Sequence, residues 1–197
     1  MTLLSARGVS VVHGRGEAAV SALDCVDVDI ERGQKVALLG RSGSGKTTLL
    51  HVLSGLVEPT SGNVERNGRT AIVFQGANLL PLFSAVENLT FAGATPERAR
   101  ELLTLVGLEG KLDNRPGELS GGEAQRVAIA RALAQSADAV LCDEPTGHLD
   151  SDTGARVLDL VEALQEQLGF ALVLATHDEA VASRADSTIE LRDGHVV

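Results

Sequence analysis

A glycine-rich segment offers the clearest chemistry in this sequence. Residues 40–47 read Gly-Arg-Ser-Gly-Ser-Gly-Lys-Thr and fit the pattern G-x-x-x-x-G-K-[ST] at every position. Glycines at this spacing let backbone N–H groups turn inward around phosphate oxygens, and the start of a following helix adds partial positive charge. Lys46 can reach the terminal phosphates of a nucleotide, and the Thr47 hydroxyl can hold Mg²⁺. We expect the nucleotide contacts to come from Gly40, Ser42, Gly43, Ser44, Gly45, Lys46, Thr47 and Thr48.

Two acidic residues, Asp143 and Glu144, form a second candidate site. They follow the apolar run Ala139–Cys142, which reads as a buried strand, and parallel sheets place their ligands at the C-terminal ends of such strands. Asp143 is suited to bind Mg²⁺ through water, and Glu144 is suited to polarise an attacking water molecule. On its own the pair would as readily be a solvated acidic turn, but a phosphate loop in the same chain favours catalysis.

A second phosphate-binding surface is indicated by Leu119-Ser120-Gly121-Gly122-Glu123, which we call the signature segment. Ser120 and Glu123 have the spacing of a capping box, so a helix is expected to start here. A cap does not require two glycines, which weaken a first helical turn, but glycines allow an anion to approach the backbone closely. If the two phosphate surfaces lie apart, two chains packed head to tail would let each nucleotide contact both.

Alternating strands and helices must position these residues. Val36–Leu39 and Phe170–Ala175 are apolar throughout, like Ala139–Cys142, which is typical of strands covered on both faces. Strands that alternate with helices predict a parallel α/β sheet. Helical periodicity predicts helices over Lys46–Leu53, Pro96–Val106, Gly121–Ala134 and Val157–Leu168.

Two further strand patterns lie in the N-terminal part of the chain. Val26, Val28 and Ile30 alternate with aspartates, which predicts a half-buried strand. Asn67-Gly68 stands between Val64–Arg66 and Thr70–Phe74, and this dipeptide is a strong signal for a two-residue β-hairpin.

The composition limits the classes of function. The chain has 197 residues, 44% of them hydrophobic, and a net charge of −10, which argues against a nucleic-acid partner. No apolar run approaches the length of about 18 residues that spans a bilayer, and the first residues lack the pattern of a signal peptide. We therefore expect a cytosolic protein in which both cysteines, Cys25 and Cys142, are small buried thiols.

At these residues the sequence resembles the ABC ATPase family. Few other proteins combine the signature segment with a phosphate loop, and the order of phosphate loop, Gln75, signature segment, acidic strand, Asp150 and His177 also matches. The resemblance covers nearly the whole chain and is strongest to the lipoprotein-release, macrolide-export and cell-division ATPases. The residues behind this are Gly55-Leu56, Pro59–Gly62, Asn78–Pro81, Glu87–Leu89 and Asp143–Gly147.

The resemblance implies one α/β ABC ATPase domain that binds ATP and Mg²⁺. A P-loop NTPase core of mostly parallel sheet, with an antiparallel N-terminal part, would comprise residues 1–75 and 135–197, and a helical subdomain would occupy residues 76–134. The implied residue roles place Thr47, Gln75 and Asp143 around the metal. Gln75 would also sense the attacking water and link the core to the helical subdomain. His177 would contact the γ-phosphate and Asp150 would cross a dimer interface, while the nucleotide of the partner subunit would be contacted by Ser120, Gly121 and Gly122.

The family also implies partners. In the leading hypothesis, a homodimer of this chain would drive an integral membrane permease from the cytoplasmic face of the cell membrane. The alternative is a regulatory ATPase of the cell-division type, which drives a membrane protein without moving a substrate and carries identical motifs. Three other classes fit less well. ABC ATPases that act on DNA or ribosomes have long coiled-coil or duplicated chains, and this chain has neither. A small-molecule kinase has no use for the signature segment. An inactive assembly subunit would have lost catalytic residues, but every expected catalytic position is filled here.

The sequence departs from the family at three places. The family usually stacks an aromatic residue on adenine, but this chain has no Tyr, and His13 is expected to supply only a weak stacking contact. The stretch between Gly62 and Gln75 is shorter than in close relatives, and His148 stands where they usually carry Asn. None of these changes removes a phosphate or metal ligand.

The permease is expected to dock between Gln75 and Glu87. This segment contains an unusually apolar loop with a proline, and exposed apolar patches generally mark binding sites. A short cytoplasmic helix of the permease would fit such a groove. The alternative is that Leu79, Leu80 and Phe83 pack the core of the subdomain.

Overall fold

Two β-sheets and six α-helices make up the computed structural model, which describes residues 1–14 and 20–197. The strands are β1 (Thr2–His13), β2 (Val20–Glu31), β3 (Lys35–Leu39), β4 (Ser61–Arg66), β5 (Thr70–Val73), β6 (Ala139–Asp143), β7 (Ala171–Thr176), β8 (Ser187–Arg192) and β9 (His195–Val196). The helices are α1 (Lys46–Ser54), α2 (Ala85–Phe91), α3 (Pro96–Leu105), α4 (Gly121–Ala134), α5 (Ser151–Leu168) and α6 (Glu179–Ala182).

The larger sheet has the strand order β5-β6-β7-β3-β8-β9 and is parallel except for β9. Every residue of β6 and β7 is buried, because helices cover both faces of the sheet. The predicted parallel α/β sheet is thereby confirmed. Its strands β3, β6 and β7 end on the same side, which is where the phosphate loop and the acidic pair follow.

The smaller sheet is antiparallel, with the order β2-β1-β4. Val26, Val28 and Ile30 of β2 are buried and their neighbours are exposed, so the predicted alternation is confirmed. These side chains pack against α1 in one hydrophobic cluster, which joins the small sheet to one face of the large one.

The predicted hairpin at Asn67-Gly68 is wrong. β4 pairs with β1 and β5 pairs with β6, so the dipeptide connects two different sheets. The Asn67 N–H donates to the Leu3 carbonyl and the Arg69 N–H donates to the Asp138 carboxylate. Asn67-Gly68 correctly predicted that the chain turns here. The two strands beside it pair with β1 and β6 instead of with each other, and these partners are distant in sequence.

Helices α2, α3 and α4 pack on one another and then on the large sheet. Their apolar side chains belong to one hydrophobic cluster that also contains β5, β6 and β7 side chains and the buried face of α5. The expected boundary between core and helical subdomain falls inside this cluster, and that division stays a prediction. α5 begins at Ser151 rather than at the expected Val157, because the Asp150 carboxylate accepts a hydrogen bond from the Thr153 N–H and caps the helix.

The two cysteines differ in their surroundings. Cys142 is fully buried in β6, and burial raises the pKa of its thiol to about 12, so it is inert. Cys25 is exposed at an irregularity of β2 with φ of +49°, so the expectation that both thiols are buried is wrong. Among the described residues no helix is both long and apolar enough to cross a membrane.

Candidate active site

The phosphate loop connects the end of β3 to the start of α1. It is fixed by hydrogen bonds from the Gly40 N–H to the Thr176 carbonyl of β7, at 3.2 Å, and from the Ser44 N–H to the Arg41 carbonyl, at 3.1 Å. Gly45 has φ of +107°, and a Cβ atom there would lie 2.6 Å from the Ala22 carbonyl oxygen, so no other residue fits. These contacts restrain the backbone of the loop.

Lys46 and Ser44 supply polar groups inside this loop. The Lys46 side chain is 5% exposed, and its ammonium donates to the carbonyls of Gly40 and Arg41 at 2.8 and 3.1 Å. The buried Ser44 hydroxyl has no hydrogen-bond partner among the described residues. Burying a cation and an unpaired hydroxyl costs free energy unless both can bind an anion. At the start of a helix these groups therefore suit the binding of phosphate.

Thr47 and Asp143 meet at the base of the same cleft. The Thr47 hydroxyl donates to the Asp143 carboxylate at 2.9 Å, and Asp143 is buried at the end of β6. Hydroxyl and carboxylate oxygens are ligands that suit Mg²⁺, which usually keeps waters and phosphate oxygens as its other ligands. No group of three or more His, Cys, Asp or Glu side chains that could hold a metal ion exists in the described ranges.

Glu144 occupies the centre of the cleft with a left-handed backbone, φ of +41°. Its carboxylate lies 3.7 Å from the Lys46 ammonium and 3.3 Å from the His177 imidazole. Non-glycine residues with positive φ cost free energy and concentrate at functional sites. The conformation places the carboxylate between Lys46 of the phosphate loop and His177.

One cleft of about 670 Å³ brings most of the predicted site residues together. Its walls combine the phosphate loop, Gln75, Asp143, Glu144 and His177 with Val20, Ser21 and Ala22 of β2. The sequence did not predict that Val20, Ser21 and Ala22 would line the cleft, because an alternating pattern predicts a strand but not which of its ends lies near a ligand.

The signature segment lies outside this cleft and lines a separate cavity with residues of α5. Ser120 caps α4 as predicted, and Glu123 accepts hydrogen bonds from the Ser120 N–H and hydroxyl, which lower the pKa of its carboxyl. Gly122 is buried, and a Cβ atom there would lie 2.5 Å from Cγ2 of Thr153. Gly122 thus has a packing role that sequence reasoning missed, while the exposed Gly121 leaves the backbone open to an anion.

Two other predicted residues also lie beside the cleft rather than in it. Asp150 caps α5 and lines a neighbouring cavity of about 420 Å³, which it shares with Glu144 and His177. Backbone and side-chain hydrogen bonds from Thr153 lower the pKa of Asp150, so it is a carboxylate at neutral pH. His13 is exposed at the end of β1 and pairs with Val20, which does line the cleft. Its contact with a base stays a prediction.

The family assignment follows from comparison with known proteins. A family model described as ABC transporter matches residues 23–147, which include the phosphate loop, the signature segment and the acidic pair. The chain belongs to the ABC transporter ATPase family. The predicted resemblance is therefore confirmed.

Named relatives refine this assignment. The chain is 40% identical to the lipoprotein-releasing system ATP-binding protein LolD of Chromohalobacter salexigens, over 98% of this chain and 92% of the relative. It is 41% identical to the macrolide export ATP-binding/permease protein MacB of Nitrosomonas europaea, over 99% of this chain and 33% of MacB. A solved dimer of the ATP-binding cassette MJ0796 with ADP and Pi superposes with a TM-score of 0.87 at 36% identity, covering 98% and 96% of the two chains.

The chain is accordingly an ATPase, the ATP-binding subunit of an ABC transporter, with the fold of its family. The ABC ATPase fold predicted from the motifs is confirmed by the MJ0796 structures.

Proposed function

We propose that this chain drives a membrane permease by closing as a homodimer on ATP and reopening after hydrolysis. The observation that carries the proposal is the separation of two phosphate-binding surfaces within one chain, the phosphate loop in one cavity and the signature segment in another. A second copy packed head to tail supplies the missing surface to each nucleotide. The MJ0796 relative, whose solved structure is dimeric with ADP and Pi, supports this arrangement.

Within each site the chain's own residues hold and polarise the reactants. The Lys46 ammonium and the loop N–H groups bind the terminal phosphates. The oxygens of Thr47, Asp143 and Gln75 would hold Mg²⁺, which would offset charge on the phosphates. Glu144 accepts a hydrogen bond from the attacking water and orients it for in-line attack on the γ-phosphorus.

His177 completes this arrangement. Its imidazole lies 3.3 Å from the Glu144 carboxylate and is 64% exposed toward the cleft, so it can donate to a γ-phosphate oxygen while it steadies Glu144. Asp150 stands at the open side of the neighbouring cavity, where the partner subunit would approach.

Ser120→Arg is expected to abolish cooperative ATPase activity while ATP binding to the monomer stays within about twofold of the parent. The added side chain blocks the helix start that would face the partner's nucleotide, but Ser120 lies outside the cavity of its own phosphate loop. Fluorescent-nucleotide titration and light scattering measure the two properties. The conservative variant Ser120→Thr, which keeps the cap, serves as the control. Weak binding by monomeric Ser120→Arg would contradict the separation of the two surfaces.

The permease-docking surface is proposed to be a groove of about 530 Å³ between the end of α1, β5 and α2. Leu80, Phe91 and Leu56 contribute apolar side chains to it, and Phe91 and Leu56 are 71% and 59% exposed. The buried Asn88 amide holds the loop by accepting from the Leu80 N–H and donating to the carbonyls of Leu80 and Phe83. A rigid apolar groove of this size fits one short amphipathic helix of a permease.

The side chains of this loop differ in their surroundings, and the structure offers support for each of the two alternatives. Leu79 packs against the hydrophobic cluster shared by α2–α4 and the sheet, as the core alternative expects. Phe83 instead contacts Phe91 edge to face, with ring centroids 5.7 Å apart, and Leu82 is 77% exposed. Docking at this groove would hold the ATPase peripherally on the cytoplasmic face of the membrane.

The double variant Leu80→Ser with Phe91→Ser is expected to abolish co-purification with the permease while basal ATP binding is retained. The variant removes two apolar contacts from the groove but leaves the nucleotide cleft intact, since neither residue lines it. Leu168→Ser, at the exposed end of α5, is the matched control and should co-purify normally. Unfolding of the double variant, seen by circular dichroism, would place these side chains in the core, and normal co-purification would move the docking site elsewhere.

A further inference from the structure

A strained turn follows Gln75 and carries this inference. Gly76, Ala77 and Asn78 have φ values of +77°, +63° and +46°, and the Asn78 N–H donates to the Gly76 carbonyl at 2.7 Å. Left-handed backbone is unfavourable for Ala and uncommon for consecutive residues, so this conformation persists only where the surroundings hold it. We call residues 75–78 the Gln75 turn.

One side chain holds the far end of the Gln75 turn. The Arg131 guanidinium, from the last turn of α4, donates to the carbonyl of Asn78 at 2.8 Å and to that of Ala77 at 3.1 Å. Burial lowers the pKa of Arg131, and no acidic group among the described residues offsets that effect. Since no carboxylate competes for the Arg131 guanidinium, its hydrogen bonds to the two carbonyls are charge-assisted and hold the turn firmly.

The near end of the turn lies against the acidic pair. A Cβ atom on Gly147 would stand 3.3 Å from the Gln75 amide nitrogen and 3.4 Å from the Glu144 carboxylate. The Gln75 amide and the Glu144 carboxylate therefore both lie next to Gly147 at one end of the turn, while Arg131 fixes the other end. The position of the amide relative to Glu144 depends on both supports.

We infer that Arg131 is a positioning residue for Gln75, and that it ties the Gln75 turn to α4, the helix whose first turn carries the signature segment. This inference rests on the proposed role of Gln75 beside Mg²⁺ and the attacking water. α4 is a single helix of 14 residues from Gly121 to Ala134, so it moves as a rigid body.

A double-mutant cycle on the purified full-length chain tests the inference. Arg131→Met is expected to lower kcat about tenfold with KM for ATP changed less than about threefold, since the turn is released but the phosphate loop is intact. Gln75→Ala should lower kcat by a similar factor, and the double variant should be no slower than Gln75→Ala alone. Hydrogen exchange should rise at residues 76–80 in Arg131→Met.

Arg66→Met is the matched control for loss of an arginine that binds two carbonyls. The Arg66 guanidinium donates to the carbonyls of Val52 and Leu53 at the end of α1, away from the Gln75 turn. It should leave kcat and exchange at residues 76–80 unchanged. Equal losses of kcat in Arg66→Met and Arg131→Met would reduce Arg131 to a general stabilising residue.

The remaining outcomes separate the inference from the proposed function. Normal kcat in Gln75→Ala would remove the proposed role of Gln75, and the inference with it. Normal kcat in Arg131→Met, or additive losses in the double variant, would overturn only the inference. If Arg131→Met fails to fold, Arg131→Gln keeps a polar side chain but removes the charge and the paired donors, and parental kcat and exchange in that variant would equally overturn the inference.

Discussion

Glu144→Gln is expected to lower ATP turnover about a hundredfold or more, because the amide cannot accept a proton from the attacking water. The phosphate contacts of Lys46 and Thr47 are unchanged, so ATP still binds. With hydrolysis blocked, the ATP-bound dimer should accumulate, and light scattering in the presence of ATP and Mg²⁺ should show a species of about twice the 20.5 kDa chain mass. Glutamine also keeps the size of the side chain that Lys46 and His177 contact.

The control for this variant removes a carboxylate elsewhere. Glu166→Gln changes an exposed residue of α5 that pairs with Lys35 at 3.4 Å, and surface pairs of this kind contribute little. Its turnover should match that of the parent. Parental turnover in Glu144→Gln would exclude Glu144 as the residue that polarises water, and a monomeric, inactive variant would remove the proposed link between bound ATP and dimer closure.

Lys46→Ala is expected to weaken ATP binding at least about a hundredfold, equivalent to about 3 kcal/mol. Lys46 is 5% exposed inside the phosphate loop, so its charge would act on bound phosphates with little screening by water. Removing it also leaves the carbonyls of Gly40 and Arg41 without their donor and loosens the loop. Equilibrium titration with a fluorescent ATP analogue measures the loss.

Lys35→Ala is the matched control, since Lys35 lies at the start of the strand that ends at the phosphate loop. The Lys35 ammonium pairs only with Glu166 among the described acidic groups, far along β3 from the nucleotide cleft. ATP affinity should be unaffected by this change. Unchanged affinity in Lys46→Ala, with the protein folded by circular dichroism, would refute the assignment of the loop.

The features that the sequence predicted correctly are local ones. The phosphate loop, the capping box of Ser120 and Glu123, and the buried strands β3, β6 and β7 each depend on residues close together in the chain. Composition and spacing within ten residues therefore identify them, and a strand that is apolar throughout is expected to be covered on both faces.

The features that the sequence did not predict depend on distant partners. Asn67-Gly68 has the composition of a hairpin, yet β4 and β5 find their partners in β1 and β6. Arg131 resembles any basic residue in the last turn of a helix, and only the folded chain shows it bound to the turn after Gln75. The close contact of Gly122 with Thr153 likewise joins helices that are separated in sequence by a strand.

The location of β3 in the large sheet has a consequence for the synthesis of this protein. The strand that carries the phosphate loop is bonded on one side to β7 and on the other to β8, both from the C-terminal part of the chain. A growing polypeptide has made the loop long before the ribosome releases either neighbour. β3 can join the sheet only when β7 and β8 are available to pair with it. The phosphate loop of a nascent chain that lacks them is therefore not held in place, and ATP binding cannot stabilise the N-terminal half of the chain. Until β7 and β8 have been synthesised, the apolar residues of β3 are exposed to aggregation.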